Sequence, residues 1–235
     1  MNTDCPLSDD GLYRLMSWLT PGFPTGAYTF SHGIEFAVEE GLVTDCESLT
    51  RWIEGIIRFG AGRLDADLLR AAWQAVDDDD DGLLAWAVER ADAQRATLET
   101  ALESAAQGGA FMDTVMAAWP GLGMERFQDL LETMKRPPAY AVAVGVAAAG
   151  AGIALAATVS AYLHAVAANL VSAAIRLIPL GQTDGQKTMA ALQAVVAGAV
   201  RAALKRPPED LGSAAPMVEW TSLKHESQYT RLFRS

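Results

Sequence analysis

PPAYAVAVGVAAAGAGIALAATVSAYLHAVAANLVSAAIRLIPLGQ, residues 137–182, decides how the rest of the chain must be arranged. Between Arg136 and Arg176 it carries no formally charged side chain, and its polar exceptions include His164 and Asn169. From Leu155 onward, Leu155, Val159, Leu163, Val166, Leu170 and Val171 recur at spacings of three and four, the periodicity of a helix. Alanine fills most other faces, so that helix must be buried nearly all round. Small side chains let neighbouring axes approach closely, which places the segment in the middle of a tightly packed helical bundle. Two other readings compete. Tyr140 to Val146 alternates with period two, as a short strand would. A membrane span needs ~20 apolar residues, and Ala139 to Leu155 comes close in length. Its Val, Ile and Leu residues, however, supply a drive of only about −1.5 to −3 kcal/mol. Glycines at 145, 150 and 152 weaken it further, and no aromatic belt or basic collar marks both ends. A buried core helix is the stronger reading.

The 235 residues can bury one large core. A formal net charge of −11 argues against nucleic acid or an anionic membrane as a partner. The charge is unevenly spread: residues 1–200 hold 12 Lys+Arg and 25 Asp+Glu, residues 201–235 hold 6 and 4. Cys5 and Cys46 form neither a disulfide framework nor a zinc pattern. The first residues lack the basic and apolar regions of a signal peptide, so a cytoplasmic location is expected. Histidines and cysteines are too few and too scattered for a dedicated metal cage.

Ser8-Asp-Asp10 can cap a first helix, with an apolar face at Leu12, Leu15, Met16 and Leu19. Thr20-Pro-Gly-Phe-Pro-Thr-Gly26 breaks it. A second helix begins near Ser31 or His32, and Thr44-x-x-Glu47 has the form of a capping box before a third. A fourth reads through Leu64, Leu68, Leu69 and Trp73. Further helices are expected at about 83–106, 110–119 and 124–134, with Gly108-Gly109 as a break, and another over 186–204, ended by Pro207-Pro208. The run Asp77 to Asp81 reads as a solvated loop. The fold class is therefore all-α, a single-domain bundle of about eight to ten helices over 1–206. A C-terminal partner-docking tail follows over 207–235.

Catalytic signatures are missing. Gly181 to Thr188 departs from a phosphate loop in glycine spacing and in having Gln186 before Lys187. Neither G-x-S-x-G nor H-E-x-x-H occurs, and an enzyme is not expected. The tail, Trp220 to Ser235, interleaves Tyr229, Leu232 and Phe233 with Arg231 and Arg234. Tyrosine and arginine dominate interface hot spots, so partner docking is expected rather than a frayed end.

Three separated blocks agree with one family. Thr20-Pro-Gly-Phe-Pro-Thr-Gly-Ala-Tyr-Thr-Phe-Ser-His-Gly-Ile-Glu35, Ser172-Ala-Ala-Ile-Arg-Leu-Ile-Pro-Leu-Gly-Gln182 and Lys224-His-Glu-Ser-Gln-Tyr-Thr-Arg-Leu-Phe-Arg-Ser235 together resemble the urease accessory protein UreF. Thr20 and Phe30 stand where a Ser and a Tyr are commoner, and the Asp77–Asp81 run is peculiar to this chain. The resemblance implies an all-α protein without a catalytic centre or cofactor of its own. It would form a homodimer, bind UreD (also called UreH) and recruit the GTPase UreG. That assembly delivers nickel to the urease apoprotein. By position it implies docking through His225, Tyr229, Arg231, Leu232, Phe233, Arg234 and Ser235. His32, Glu35, Arg176 and Gln182 would lie near a GTPase-facing or dimer surface.

Overall fold

The structure, a computed structural model, describes residues 7–235. The expectations for Cys5 and the leader region lie outside those residues. Eleven α-helices follow one another: α1 (Asp9–Trp18), α2 (Ile34–Glu39), α3 (Cys46–Arg58), α4 (Ala61–Asp77), α5 (Asp81–Ala93), α6 (Leu98–Ala118), α7 (Met124–Met134), α8 (Tyr140–Gly150), α9 (Leu155–Ala174), α10 (Gln182–Ala203) and α11 (Pro216–His225). Short 3-10 turns sit at Ala27–Thr29 and Pro208–Asp210, and the described residues contain no strand.

The charge-free stretch supplies the centre. Every residue of α8 from Ala141 to Ala148 is buried, packed by α4 and α6, with α5, α7 and α9 around it. The alternation over 140–146 is helical, because burial on all sides leaves no second face for period two to mark. Close approach is what the small residues provide. A Cβ at Gly145 would sit 2.5 Å from the Leu69 carbonyl oxygen of α4. α9 is the one described helix long and apolar enough to cross a membrane. It packs against α2, α3, α4, α8 and α10, but only about half of it is buried, and Ser160, His164 and Ser172 are exposed, so the expected all-round burial holds for α8 and not for α9.

Several boundaries differ from the sequence reading, each for a local reason. The expected helix over 83–106 is two helices. Thr97 caps α6 by accepting from the Thr100 N–H, and Arg95 turns inward to pair with Asp65 at 2.8 Å. No break follows at Gly108. α6 runs through it because a Cβ there would meet the Pro138 carbonyl oxygen at 2.2 Å, so the glycine serves packing. The α3 capping box is Asp45 with Ser48, one residue later than expected. On α1, Leu12 and Met16 are exposed while Leu15 and Trp18 are buried, Trp18 standing edge-on to Phe111 and Trp119. The aspartate run is an exposed turn in which Asp80 caps α5 and Arg126 pairs with Asp79 and Asp81. After Pro207-Pro208 the chain folds back as α11 against α2 and α6.

Candidate functional site

The last twenty residues and the loop before α2 build one structure from both ends of the chain. α11 starts on Pro216, whose fixed φ suits a first helical position. It lies so close to the α2 entry that a Cβ at Gly33 would fall 2.8 Å from the Ser222 backbone nitrogen. Gly33 also has φ +78°, so glycine is required there twice over. Thr221, Ser222 and His225 form the buried face of α11, and the Ser222 and Thr97 hydroxyls are 2.8 Å apart.

Beyond α11, burial alternates. Arg231, Leu232 and Arg234 are exposed, and Phe233 and Ser235 are buried. This short bent segment joins the loop edge. The Arg234 N–H donates to the Thr29 carbonyl at 2.8 Å, and the Ser31 N–H to the Ser235 main-chain oxygen at 2.7 Å. The Ser31 hydroxyl donates to that same oxygen. The Phe233 ring lies 4.4 Å beneath the Arg176 guanidinium, which also donates to the Tyr28 carbonyl at 2.9 Å. Arg234 sits 5.5 Å over Phe30.

Carboxylates of α2 and α6, Glu35 and Glu99 buried and Glu103 half-buried, hold this clasp. Glu35 accepts from the Leu232 N–H at 2.6 Å and the Phe233 N–H at 2.9 Å, and faces His225 Nε2 at 3.1 Å. Glu99 faces His225 Nδ1 at 2.8 Å and accepts from Arg231 at 2.9 Å. Burial pushes the Glu99 carboxyl up, with His225 and Arg231 opposing. Glu103 stands 3.2 Å from His32 Nδ1 and accepts from the Ser235 hydroxyl at 3.2 Å. Burial by itself lowers the His32 imidazole, and Glu103 more than offsets this, leaving it raised.

Nine of the sequence-predicted positions thus meet in one place: His32, Glu35, Arg176, His225, Arg231, Leu232, Phe233, Arg234 and Ser235. Glu35 and His225 are buried and His32 is half-buried, and all three act through what they hold. Tyr229, on the turn just before, is fully exposed at 103%. Gln182 is apart, exposed at the first position of α10, the helix that packs on α3. Arg176 binds an aromatic ring and two carbonyls. Glu99, Glu103 and Ser31 were missed. The i,i+4 pair Glu99/Glu103 was the available signal, and it looks like an ordinary solvated helix face.

Behind the clasp, a cavity of about 1060 Å³ runs from a surface groove between α1, α9 and α10 to His32, Asp65, Arg95 and Glu103. Tyr162 donates to Asp65 at 2.8 Å, and burial lifts the Tyr162 and Tyr140 phenols well above their usual range. Among the described residues no group of three or more His, Cys, Asp or Glu side chains is placed to hold a metal ion.

A sequence model of the UreF family matches residues 43–193, the span from just before α3 into α10. Relatives match over nearly everything else as well. A urease accessory protein UreF of Granulibacter bethesdensis is 48% identical over 227 residues, covering 97% of this chain and 95% of that protein. One from Bradyrhizobium diazoefficiens is 45% identical, covering 95% and 91%, and one from Magnetococcus marinus 44%, covering 97% and 99%. The chain belongs to the UreF family. Its role is accordingly an accessory one in urease maturation, and its relatives are named as accessory proteins rather than as enzymes. In this UreF-family chain, Glu99, Glu103 and Arg176 of the clasp lie within the span of the family model, and His32, Glu35 and residues 216–235 lie outside it.

Proposed function

We propose that this chain is a non-enzymatic scaffold that binds UreD/UreH and recruits the GTPase UreG, so that nickel, as cargo, is inserted into the urease apoprotein. The observation that carries the reading is a set of outward apolar side chains on a rigid base. Tyr229 (103% exposed) and Leu232 (64%) project from a segment whose alternate residues are locked by Glu35, Arg176 and Ser31. Leu98 and Leu102 of α6, the helix that carries Glu99, and Leu223 of α11 are also more than half exposed. A pre-ordered surface avoids the ~2–5 kcal/mol that folding a tail on its partner costs. UreD is assigned to this surface. Replacing Tyr229 with Ala and Leu232 with Asp leaves every buried clasp contact in place. The expected result is an intact helical fold with lost co-purification of UreD and lost urease activation. Undiminished UreD capture by that variant refutes the assignment.

A regulator of the GTPase cycle acting through Arg176 is the alternative. The guanidinium is already committed to Phe233, Tyr28 and Ser172, which favours the scaffold role. Homodimerisation is assigned to the groove face, where Leu12, Tyr13 and Met16 of α1 are 45%, 66% and 58% exposed beside the small residues of α9 and α10. Met16→Asp is expected to give a monomer by light scattering with unchanged thermal stability, and a persisting dimer would move the interface elsewhere.

A further inference from the structure

His225 is wholly buried, and both of its ring nitrogens face carboxylate oxygens: Glu99 at 2.8 Å and Glu35 at 3.1 Å. A neutral imidazole has one N–H and one lone pair. In that form one nitrogen would present its lone pair to a carboxylate about 3 Å away, with no water to separate them, a costly arrangement in a dry interior. With an extra proton the ring donates to both. The charges then balance, since Glu35 and Glu99 are matched by His225 and Arg231.

We propose that His225 is the positioning residue of the docking surface: carried as an imidazolium between Glu35 and Glu99, it clamps residues 231–235 onto the loop, and loss of its proton releases them. The route from ring to segment is short. The same Glu35 oxygen that faces His225 accepts the Phe233 N–H, and the other accepts the Leu232 N–H. The Glu99 oxygen not facing the ring holds Arg231. Deprotonation leaves two buried carboxylates with one cation between them, and residues 231–235, held by those carboxylates, are what can move away. The charged groups around the ring are Glu35 from α2, Glu99 from α6, Arg231 from the segment itself, and Lys224 and Glu226 beside it in sequence. The neighbouring pair His32 and Glu103 bears on Ser235. α3 meets this region near the start of α11, where the Ala214 N–H donates to the Phe59 carbonyl. The clamp itself is a property of the free chain; only its consequence for docking rests on the function proposed above.

The test is a pH titration of the full chain by NMR, observing the His225 ring nitrogens and the amide exchange of Leu232 and Phe233, corrected for intrinsic rates. The expected result is a ring protonated at both nitrogens whenever residues 231–235 are clamped. As that proton is lost at higher pH, protection of the two amides should fall by up to about tenfold per pH unit, the slope of a one-proton linkage. Glu99→Gln supplies the contrast. Its amide oxygen still accepts from Arg231, and its NH2 donates to His225 Nδ1, so a neutral ring is satisfied and protection should stay high and flat with pH. A singly protonated ring with the segment protected throughout overturns the proposal. So does Glu99→Gln that keeps the wild-type slope, or that is unprotected at every pH. UreD capture should weaken along the same pH curve. A clamp that titrates as expected while UreD capture ignores it would count against the docking assignment and leave the clamp standing.

Discussion

Replacing Glu35 by Gln should open the clasp without unfolding the bundle. Both carboxylate oxygens of Glu35 are occupied by donors: the Leu232 N–H at 2.6 Å, the Phe233 N–H at 2.9 Å and His225 Nε2 at 3.1 Å. Glutamine keeps the shape but offers one oxygen. Its NH2 must then face at least one N–H donor, so a buried donor is stranded in either amide orientation. A stranded buried group costs ~1–3 kcal/mol, and the lost charge on the His225 contact adds ~1 kcal/mol or more. Together this is about 3 kcal/mol, roughly a 100-fold rise in the open population. Phe233 contributes ~2 kcal/mol of burial plus its contact with Arg176 on the closed side. That remainder keeps the segment closed some of the time and the bundle intact. Hydrogen exchange by mass spectrometry, with peptides covering residues 226–235 and α8, reads both effects at once. The expected outcome is deprotection of the C-terminal peptide by about two orders of magnitude with α8 unchanged. An unchanged C-terminal peptide would refute the reasoning, because it would mean the two backbone donors do not depend on this carboxylate.

Two further outcomes follow from the same region. Gly33→Ala meets both a left-handed φ and the Ser222 backbone at 2.8 Å, whereas Gly26 shares the left-handed φ with nothing within 4 Å. Gly26→Ala should therefore cost only the ~1–2 kcal/mol of conformational strain, and Gly33→Ala clearly more, as measured by denaturant unfolding; equal losses would show that α11 yields freely. The second concerns pH. The His32 value is raised in the fold, so its pairing with Glu103 stabilises fully below the unfolded value of 6.5 and is lost as pH rises through the folded one. Glu103→Gln should lower unfolding stability by ~2 kcal/mol at pH 6 and by progressively less at higher pH. A pH-independent difference would mean that Glu103 acts without the imidazolium.

The core was legible because its signal is local. Three- and four-residue spacing from Leu155 to Val171 reports a helix wherever the chain goes next, and the unbroken Ala, Gly and Val over 141–148 report burial on every side, whereas the serines and His164 of α9 mark a face left open. The α1 face was misjudged for the opposite reason. Leu12, Leu15, Met16 and Leu19 obey helical spacing as well as Leu15 and Trp18 do, and only the position of Phe111 and Trp119 selects the second set. In the clasp, the alternation of aromatic and basic residues marks a segment with contacts to make, and those the structure shows are to its own chain. Which residues point in could not be read, because the choice is made by Glu35 and Glu99, 198 and 132 residues away from the groups they hold. Glu99 and Glu103 carry no local mark of burial. Their four-residue spacing is that of any exposed helix, and the α6 start that turns them inward was hidden inside one long apolar pattern over 83–106.

Why the clasp should be built from charge at all is a question of stability against reversibility. A buried ion pair is commonly no more stabilising than well-packed apolar residues of the same volume, because desolvation offsets the attraction. Holding a five-residue segment with leucines under it would therefore serve at least as well if permanence were the aim. Here the segment instead rests on one aromatic ring and on a group of side chains whose balance turns on a single proton. Removing one member leaves another charge buried and unpaired, which is far more destabilising than never having had the pair. Such an arrangement has two well-separated states and little between them. On the docking role proposed above, a surface that offers Tyr229 and Leu232 to a partner and later releases it gains from a base that is either fully seated or fully released. A greasy socket would loosen by degrees. The polar construction is the physical reason to expect the docking surface to switch rather than fade.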